Sequence, residues 1–294
     1  MFVRLAVRIS CGSESSAVGI GRLAEHGTRG APGRAKLSRN RDHFTSCPWR
    51  LTEVEFPKAT NMRTTESQNA AGHLRTWAPT LFVAALLFGF AFIAQEVTEG
   101  EPIALDRWLM VAFRDTSDLS RPIGPPWLLD VVRDITALGS TAVLALLVTI
   151  VTTFLFTAGK RHAGLFVLTT VLSGAILNTL LKHAFARERP DIVAPLTQVS
   201  TLSFPSGHAA SSAVCYLTLG LMLAQTQASR SVRIHLVMTA AILALLVGVS
   251  RIYLGVHYPS DVLAGWCFGT SWALICQMLM SHFQRTGRIE QPSD

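Results

Sequence analysis

Residues 164–191 read GLFVLTTVLSGAILNTLLKHAFARERPD. From Gly164 to Leu181 no residue is charged; then Lys182, Arg187 and Arg189 arrive in one short segment closed by Pro190. The apolar part approaches the ~20 residues that an α-helix needs to cross a bilayer. Charged groups at the end of such a run are costly unless they are paired or functional. The stretch therefore sets two expectations, a membrane helix and a polar site at its end.

Working outward, comparable apolar runs cover about 80–94, 140–157, 209–224, 234–249 and 262–280. Several are slightly short, and their flanks can extend them. Between the first two runs lie an amphipathic stretch at 104–113, the turn-rich Arg121-Pro-Ile-Gly-Pro-Pro126 and a short helical segment at 127–136. These pieces are expected to lie along the membrane surface. The fold class is all-α: an integral membrane bundle of six transmembrane helices, with short surface helices between spans one and two. Composition agrees, with mean hydropathy +0.36 and 15% charged residues against about 25% in soluble domains.

Three domain segments are expected. Residues 1–78 are rich in Arg, Ser, Gly and Thr without a sustained apolar period, which reads as a disordered extension. The alternative is that translation starts at Met62. Residues 79–282 form the membrane domain, and 283–294 a short cytoplasmic tail. Lys160, Arg161 and His162 mark one loop as cytoplasmic, and Arg230 and Arg233 a second; the connection holding Glu96, Glu99, Glu101, Asp106, Asp115 and Asp118 reads as external. Both termini are then cytoplasmic, in a bacterial inner membrane, and the Lys182–Arg189 cations lie on the outer face against the positive-inside trend.

Two further polar motifs fall on that face. Pro205-Ser206-Gly207-His208 opens the fourth run. A helix start offers unpaired N–H groups to an anion, Gly207 lets backbone approach it, Ser206 adds a hydroxyl donor and His208 can protonate a departing oxygen. Ser250-Arg251-x5-His257-x3-Asp261 links the last two runs. Pro259 suits a first helical position, and Asp261 can reach back to one nitrogen of His257, leaving the other as a nucleophile. Lys182, Arg189 and Arg251 supply positive charge for a phosphate, the Arg forks as bidentate donors. Taken singly, each motif has an ordinary reading as an anchor, an N-cap or a capped loop histidine; their shared face argues jointly. His183, Arg187, Glu188 and Asp191 receive no role, and Asp106-Arg107 reads as a helix cap.

The joint pattern over about 80–280 resembles the type 2 phosphatidic acid phosphatase (PAP2) superfamily, which also contains the vanadium haloperoxidases. The resemblance implies a six-helix bundle and metal-independent phosphate hydrolysis without a cofactor. It implies His257 as the nucleophile that becomes phosphohistidine, Asp261 as its orienter and His208 as the general acid. Lys182, Arg189, Ser206, Gly207 and Arg251 would bind the phosphate. The expected partners are a lipid phosphate or diphosphate (phosphatidic acid, phosphatidylglycerol phosphate, polyprenyl diphosphate or lipid A phosphate) and the bilayer. Lipid phosphotransfer through the same intermediate, haloperoxidase chemistry and a non-enzymatic transporter or scaffold are the alternatives. Basic residues sit in the N-terminal stretch and loops, not on a basic helix, so no nucleic-acid partner is expected. Gly265-x3-Gly269 offers a surface for close helix packing or a homodimer, and Trp127, Trp266 and Trp272 read as interfacial anchors or packing. Cys11, Cys47, Cys215, Cys267 and Cys276 show no disulfide framework or metal spacing.

Overall fold

The computed structural model describes residues 62–99 and 104–286. They form α1 (Met62–Thr98), α2 (Ala104–Ala112), α3 (Pro126–Ala137), α4 (Thr141–Thr157), α5 (Arg161–Phe185), α6 (Gly207–Gln225), α7 (Arg230–Tyr253) and α8 (Pro259–Arg285). Among the described residues the β-structure is a single isolated bridge, Arg114 to Pro122.

Local signals set several helix ends. Ser140 caps α4, its hydroxyl accepting from the Val143 N–H at 3.3 Å. Proline occupies the first turn of α3 and of α8, where no helical N–H is lost. α5 stops at Ala186, a left-handed residue with φ 46° whose N–H bonds back to the Lys182 carbonyl. That turn redirects the chain immediately after Lys182.

Five segments are long and apolar enough to cross a membrane: Trp77–Thr98 and helices α5, α6, α7 and α8. The 17-residue α4 joins them only together with α3, from which it bends by 45°. The expected count of six thus depends on that bent pair. Phe88 is 74% exposed, Phe154 66% and Leu146 62%. Continuous apolar surface of this kind faces lipid, where helices satisfy their own backbone groups; the protein is integral to a membrane.

α1 begins at Met62, so residues 62–78, assigned from sequence to a disordered extension, are helical here. They lack an apolar stripe, and Pro79, inside α1, separates them from the apolar segment that follows. The remainder of the extension and the tail beyond 286 lie outside the described residues.

α6 is the central helix: 56% of its span is buried, against 11% for that of α1. Its small residues meet glycines of α8. A Cβ added at Gly265 would sit 2.9 Å from the Ser206 carbonyl and 3.0 Å from Ala209 Cβ; one at Gly269 would sit 2.5 Å from the Ala210 carbonyl and 2.8 Å from Ala213 Cβ. The Gly265-x3-Gly269 face is therefore spent inside the monomer. Trp266 and Trp272 also pack internally, donating to the Ala244 and Thr170 carbonyls, while Trp127 is exposed. Gly269→Leu should lower the melting temperature of the detergent-purified protein, at a cost of about 1–3 kcal/mol or more from overpacking. Gly89→Ala, whose Cβ would make an ordinary 3.7 Å contact with Cys267 Sγ, should leave it unchanged. Equal melting temperatures for the two variants would contradict this packing.

Candidate active site

The end of α5, the start of α6, the end of α7 and the start of α8 converge with the segment 186–206. That segment is pinned to helices at several points. The Phe204 ring lies 4.9 Å from Phe185 and 5.9 Å from Phe90, forming an apolar floor. The Ser203 N–H donates to the Arg187 carbonyl at 2.9 Å, and the Ser206 N–H to the Asp261 carbonyl at 3.0 Å. This last bond ties the start of α6 to the first turn of α8. Gly255, at φ +72°, makes the turn between α7 and His257, and a Cβ there would strike the Arg114 guanidinium. Arg114, 2% exposed, donates to the Tyr253 and Ala194 carbonyls and so clamps this turn from beneath.

His257 is 1% exposed. Its Nδ1 lies 3.4 Å from Asp261 Oδ2, while its Nε2 lies 3.5 Å from Arg189 Nη1. A carboxylate on one side and the Arg189 guanidinium on the other place the ring proton on Nδ1 and the lone pair on Nε2. Burial pushes the imidazole down to about 4, against the opposing pull of Asp261. The ring is therefore neutral at pH 7 and can act as a nucleophile. Asp261 Oδ2 also accepts from the Tyr258 N–H at 3.0 Å and the Ser203 hydroxyl at 2.5 Å. The carboxylate thus reaches back to the residue preceding α8 while it orients the ring.

Arg189 faces Nε2, and two further cations, Lys182 and Arg251, are held nearby. Arg189 donates to the Thr201 carbonyl at 2.6 Å, the Thr201 hydroxyl at 3.0 Å and the Val256 carbonyl at 2.5 Å. Lys182 Nζ donates to the Leu202 carbonyl at 2.7 Å. Arg251, 3% exposed, donates from Nη1 to the Thr136 hydroxyl at 3.1 Å. A Cβ added at Gly207 would lie 3.5 Å from Lys182 Cε, so the α6 start faces that lysine. The first helical bond of α6 is Ala210 N–H to the Ser206 carbonyl; the N–H groups of Gly207, His208 and Ala209 precede it and have no helical acceptor. Ser206 Oγ and Arg251 Nε are buried without a hydrogen-bond partner, a cost of about 1–3 kcal/mol per group that an oxyanion would remove. The half-buried His208 lies where the charges of Arg251, Arg189 and Lys182 act on it, together with His257. All eight residues singled out from sequence therefore meet at one end of the bundle.

Sequence reasoning missed several participants. Arg187, left without a role, donates to Asp261 Oδ1 at 2.6 Å and to Asp106 Oδ2 at 3.3 Å. Asp106, read as a helix cap, is 1% exposed and accepts from Ser260. A signal was present for each. Asp106 shares the buried face of α2 with Met110, an acid on an apolar stripe, and Arg187 is one of the cations that break the positive-inside trend. Ser203 and Thr136 carried no signal. His183, Glu188 and Asp191 are exposed.

Lys182, Arg187, Arg189 and Arg251 against Asp106 and Asp261 leave an excess of two positive charges in the cluster. A cleft of about 740 Å³, lined in part by Arg189, Pro190, Gln198 and Val256, opens beside it. Its walls do not include Lys182, Ser206 or His257, so it adjoins the cationic pocket rather than coinciding with it.

The sequence model of the PAP2 superfamily matches residues 163–285, the stretch that carries all three motifs. Phosphatidylglycerophosphatase B of Bacillus subtilis (strain 168) is 38% identical over 148 residues, covering 50% of this chain and 72% of its own. A lipid A 1-phosphatase of Rhizobium johnstonii is 31% identical over 135 residues, 43% of this chain and 50% of its own. The crystal structure of a transmembrane PAP2-type phosphatidylglycerolphosphate phosphatase from Bacillus subtilis superposes with a TM-score of 0.61 at 31% identity, over 69% of this chain and 98% of that one.

Proposed function

The chain belongs to the PAP2 superfamily of phosphoric ester hydrolases, and from that premise we propose that it hydrolyses lipid phosphate monoesters or diphosphates through a phosphohistidine on His257. The observation that carries this reading is the divided imidazole: Nδ1 on Asp261, Nε2 toward Arg189. In this mechanism Nε2 attacks phosphorus and the bond to the leaving oxygen breaks. His208, protonated once the bound phosphate dianion offsets the Arg251, Arg189 and Lys182 charges that act on it, gives that oxygen its proton. Water then attacks the phosphohistidine, and His208 takes the proton back as the P–N bond breaks. Lys182, Arg189, Arg251, Ser206 and the Gly207 N–H hold the equatorial oxygens, where phosphoryl transfer develops its charge. The excess of two positive charges matches a phosphate dianion.

The ends of membrane helices suit a lipid headgroup, since the acyl or prenyl chains can stay in the bilayer while the phosphate enters. We read α4, 17 residues long, as crossing the membrane by itself and so as the second of six spans in chain order, α2 and α3 as lying along the surface, the site as facing outward from a bacterial inner membrane, and both termini as cytoplasmic. The loop charges support that orientation. Purified protein should release inorganic phosphate from phosphatidic acid, phosphatidylglycerol phosphate or a polyprenyl diphosphate with chelator present, and orthovanadate should inhibit it. Intact cells should process an added short-chain lipid phosphate that does not cross the membrane. Activity lost to chelator and restored by a divalent ion would overturn the metal-independent mechanism, and hydrolysis confined to lysed cells would overturn the outward face.

A further inference from the structure

Beyond the phosphate-binding and proton-transferring groups, a second buried polar cluster stands behind Asp261. We infer that Arg187 and Asp106 are positioning residues for the reaction: as a buried ion pair they dock α2 on the first turn of α8 and hold the Asp261 carboxylate in register with His257.

The two oxygens of Asp261 have separate duties. Oδ2 serves His257, the Tyr258 N–H and Ser203. Oδ1 accepts from Arg187 Nη1 at 2.6 Å. Arg187 therefore grips the oxygen that the imidazole does not use. The same nitrogen donates to the Ser260 hydroxyl at 2.8 Å, and Nη2 reaches Asp106 Oδ2 at 3.3 Å. Asp106 in turn accepts from the Ser260 N–H at 2.8 Å and the Ser260 hydroxyl at 2.6 Å. The guanidinium lies 4.0 Å over the Tyr258 ring, which fixes its plane.

The side chains of Arg187, Asp106 and Asp261 are 12%, 1% and 0% exposed, so water cannot substitute for a lost partner. A carboxylate held through one oxygen alone can pivot, and the imidazole would pivot with it. In-line attack tolerates little of this, since a misplacement of about 1 Å costs on the order of 100-fold. The Arg187 guanidinium spends its contacts on Asp106, Ser260, Asp261 and the Tyr258 ring, away from the phosphate-binding groups, so its loss should cost turnover and spare phosphate affinity. Asp106 adds a second counter-charge to Arg187 beside that of Asp261, and it comes from α2, so docking of that helix completes the site.

This inference rests on the phosphohistidine reading, and the experiment separates the two. Wild type, Arg187→Gln, Arg187→Lys, Asp106→Asn and the Arg187→Gln/Asp106→Asn double variant are purified as the full chain. For each, kcat and KM on a lipid phosphate, Ki for inorganic phosphate and melting temperature are measured. Arg187→Gln should lower kcat about 100-fold, with KM and the phosphate Ki within about threefold of wild type. Arg187→Lys, which keeps the charge but loses the fork, should recover about tenfold of that loss. Asp106→Asn should lower kcat by about tenfold, and the double variant should be no worse than Arg187→Gln alone, because the two residues act through one carboxylate. If Arg187→Gln does not fold, Arg187→Lys decides: a kcat about tenfold below wild type at unchanged phosphate Ki supports the inference, and a wild-type kcat overturns it. A phosphate Ki that rises in step with the loss of kcat would also overturn it, making Arg187 a phosphate ligand. Wild type that releases no phosphate from any lipid would sink the hydrolytic reading itself.

Discussion

His257→Ala should abolish phosphate release, a loss on the order of 10⁴-fold or more, because residues that act as one nucleophilic unit fail together. The variant should still fold and still bind orthovanadate or inorganic phosphate, since Lys182, Arg189 and Arg251 take their holding contacts from Leu202, Thr201, Val256 and Thr136, not from the imidazole. The pH dependence carries a sign. Burial holds the His257 ring below its ordinary 6.5, at about 4, so the reactive neutral form persists as pH falls from 7 toward 4. Below that the imidazolium forms and cannot attack, and the His257 contribution to kcat/KM should fall about tenfold per pH unit. An acid limb assigned to His257 near 6.5 would mean that the ring is solvated, contrary to its 1% exposure. Turnover surviving in His257→Ala would remove the phosphohistidine altogether.

The parts of this molecule that sequence displays are those in which a local stretch carries its own physical constraint. An uncharged run such as 164–181 must be a buried or lipid-facing helix, and α5 contains it. Pro259 and Asp261 announce a helix start within four residues of His257, and α8 begins there. Lys182, the Pro205–His208 turn and the Ser250–Asp261 segment each imply a polar end to an apolar element, so their convergence followed from placing those ends on one membrane face.

What stayed hidden is non-local. Arg187 and Asp106 are 81 residues apart, and Asp106 and Ser260 are 154 apart. Nothing in either neighbourhood encodes the partner, although an acid on the buried stripe of α2 does signal that one must exist. Gly265-x3-Gly269 was legible as a close-approach surface, but a spacing rule cannot say whether the approaching backbone belongs to the same chain; the Ser206 and Ala210 carbonyls answer that. The count of spans is marginal for a related reason. α4 is short by itself, and whether α3 extends it depends on the 45° bend between them, which composition does not set.

His208→Ala should separate the two halves of the reaction. In the proposed mechanism His208 supplies the leaving oxygen with a proton in the forward half, and in the second half it removes one from the attacking water. General acid–base groups contribute about 10²–10⁴-fold each, so steady-state turnover should fall by at least about 100-fold. The halves need not fall equally. A diphosphate substrate has a leaving phosphate that departs with little protonation, so its phosphorus should still transfer to His257 Nε2. Water remains a poor nucleophile without a base, so the second half should stall. His208→Ala incubated with a ³²P-labelled diphosphate should therefore accumulate label on protein, stable to alkali and lost in acid, while wild type shows none at steady state. The label should vanish in His208→Ala/His257→Ala. This follows from where the two histidines sit: His208 opens α6 beside the unpaired N–H groups that would hold the phosphoryl oxygens, whereas His257 is fixed by Asp261 on α8. The α6–α8 contact at Gly265 keeps them at a set separation. Label that survives removal of His257 would assign the nucleophile elsewhere. A His208→Ala enzyme with wild-type turnover would leave proton transfer to water, and the α6 histidine would then be only a wall of the pocket.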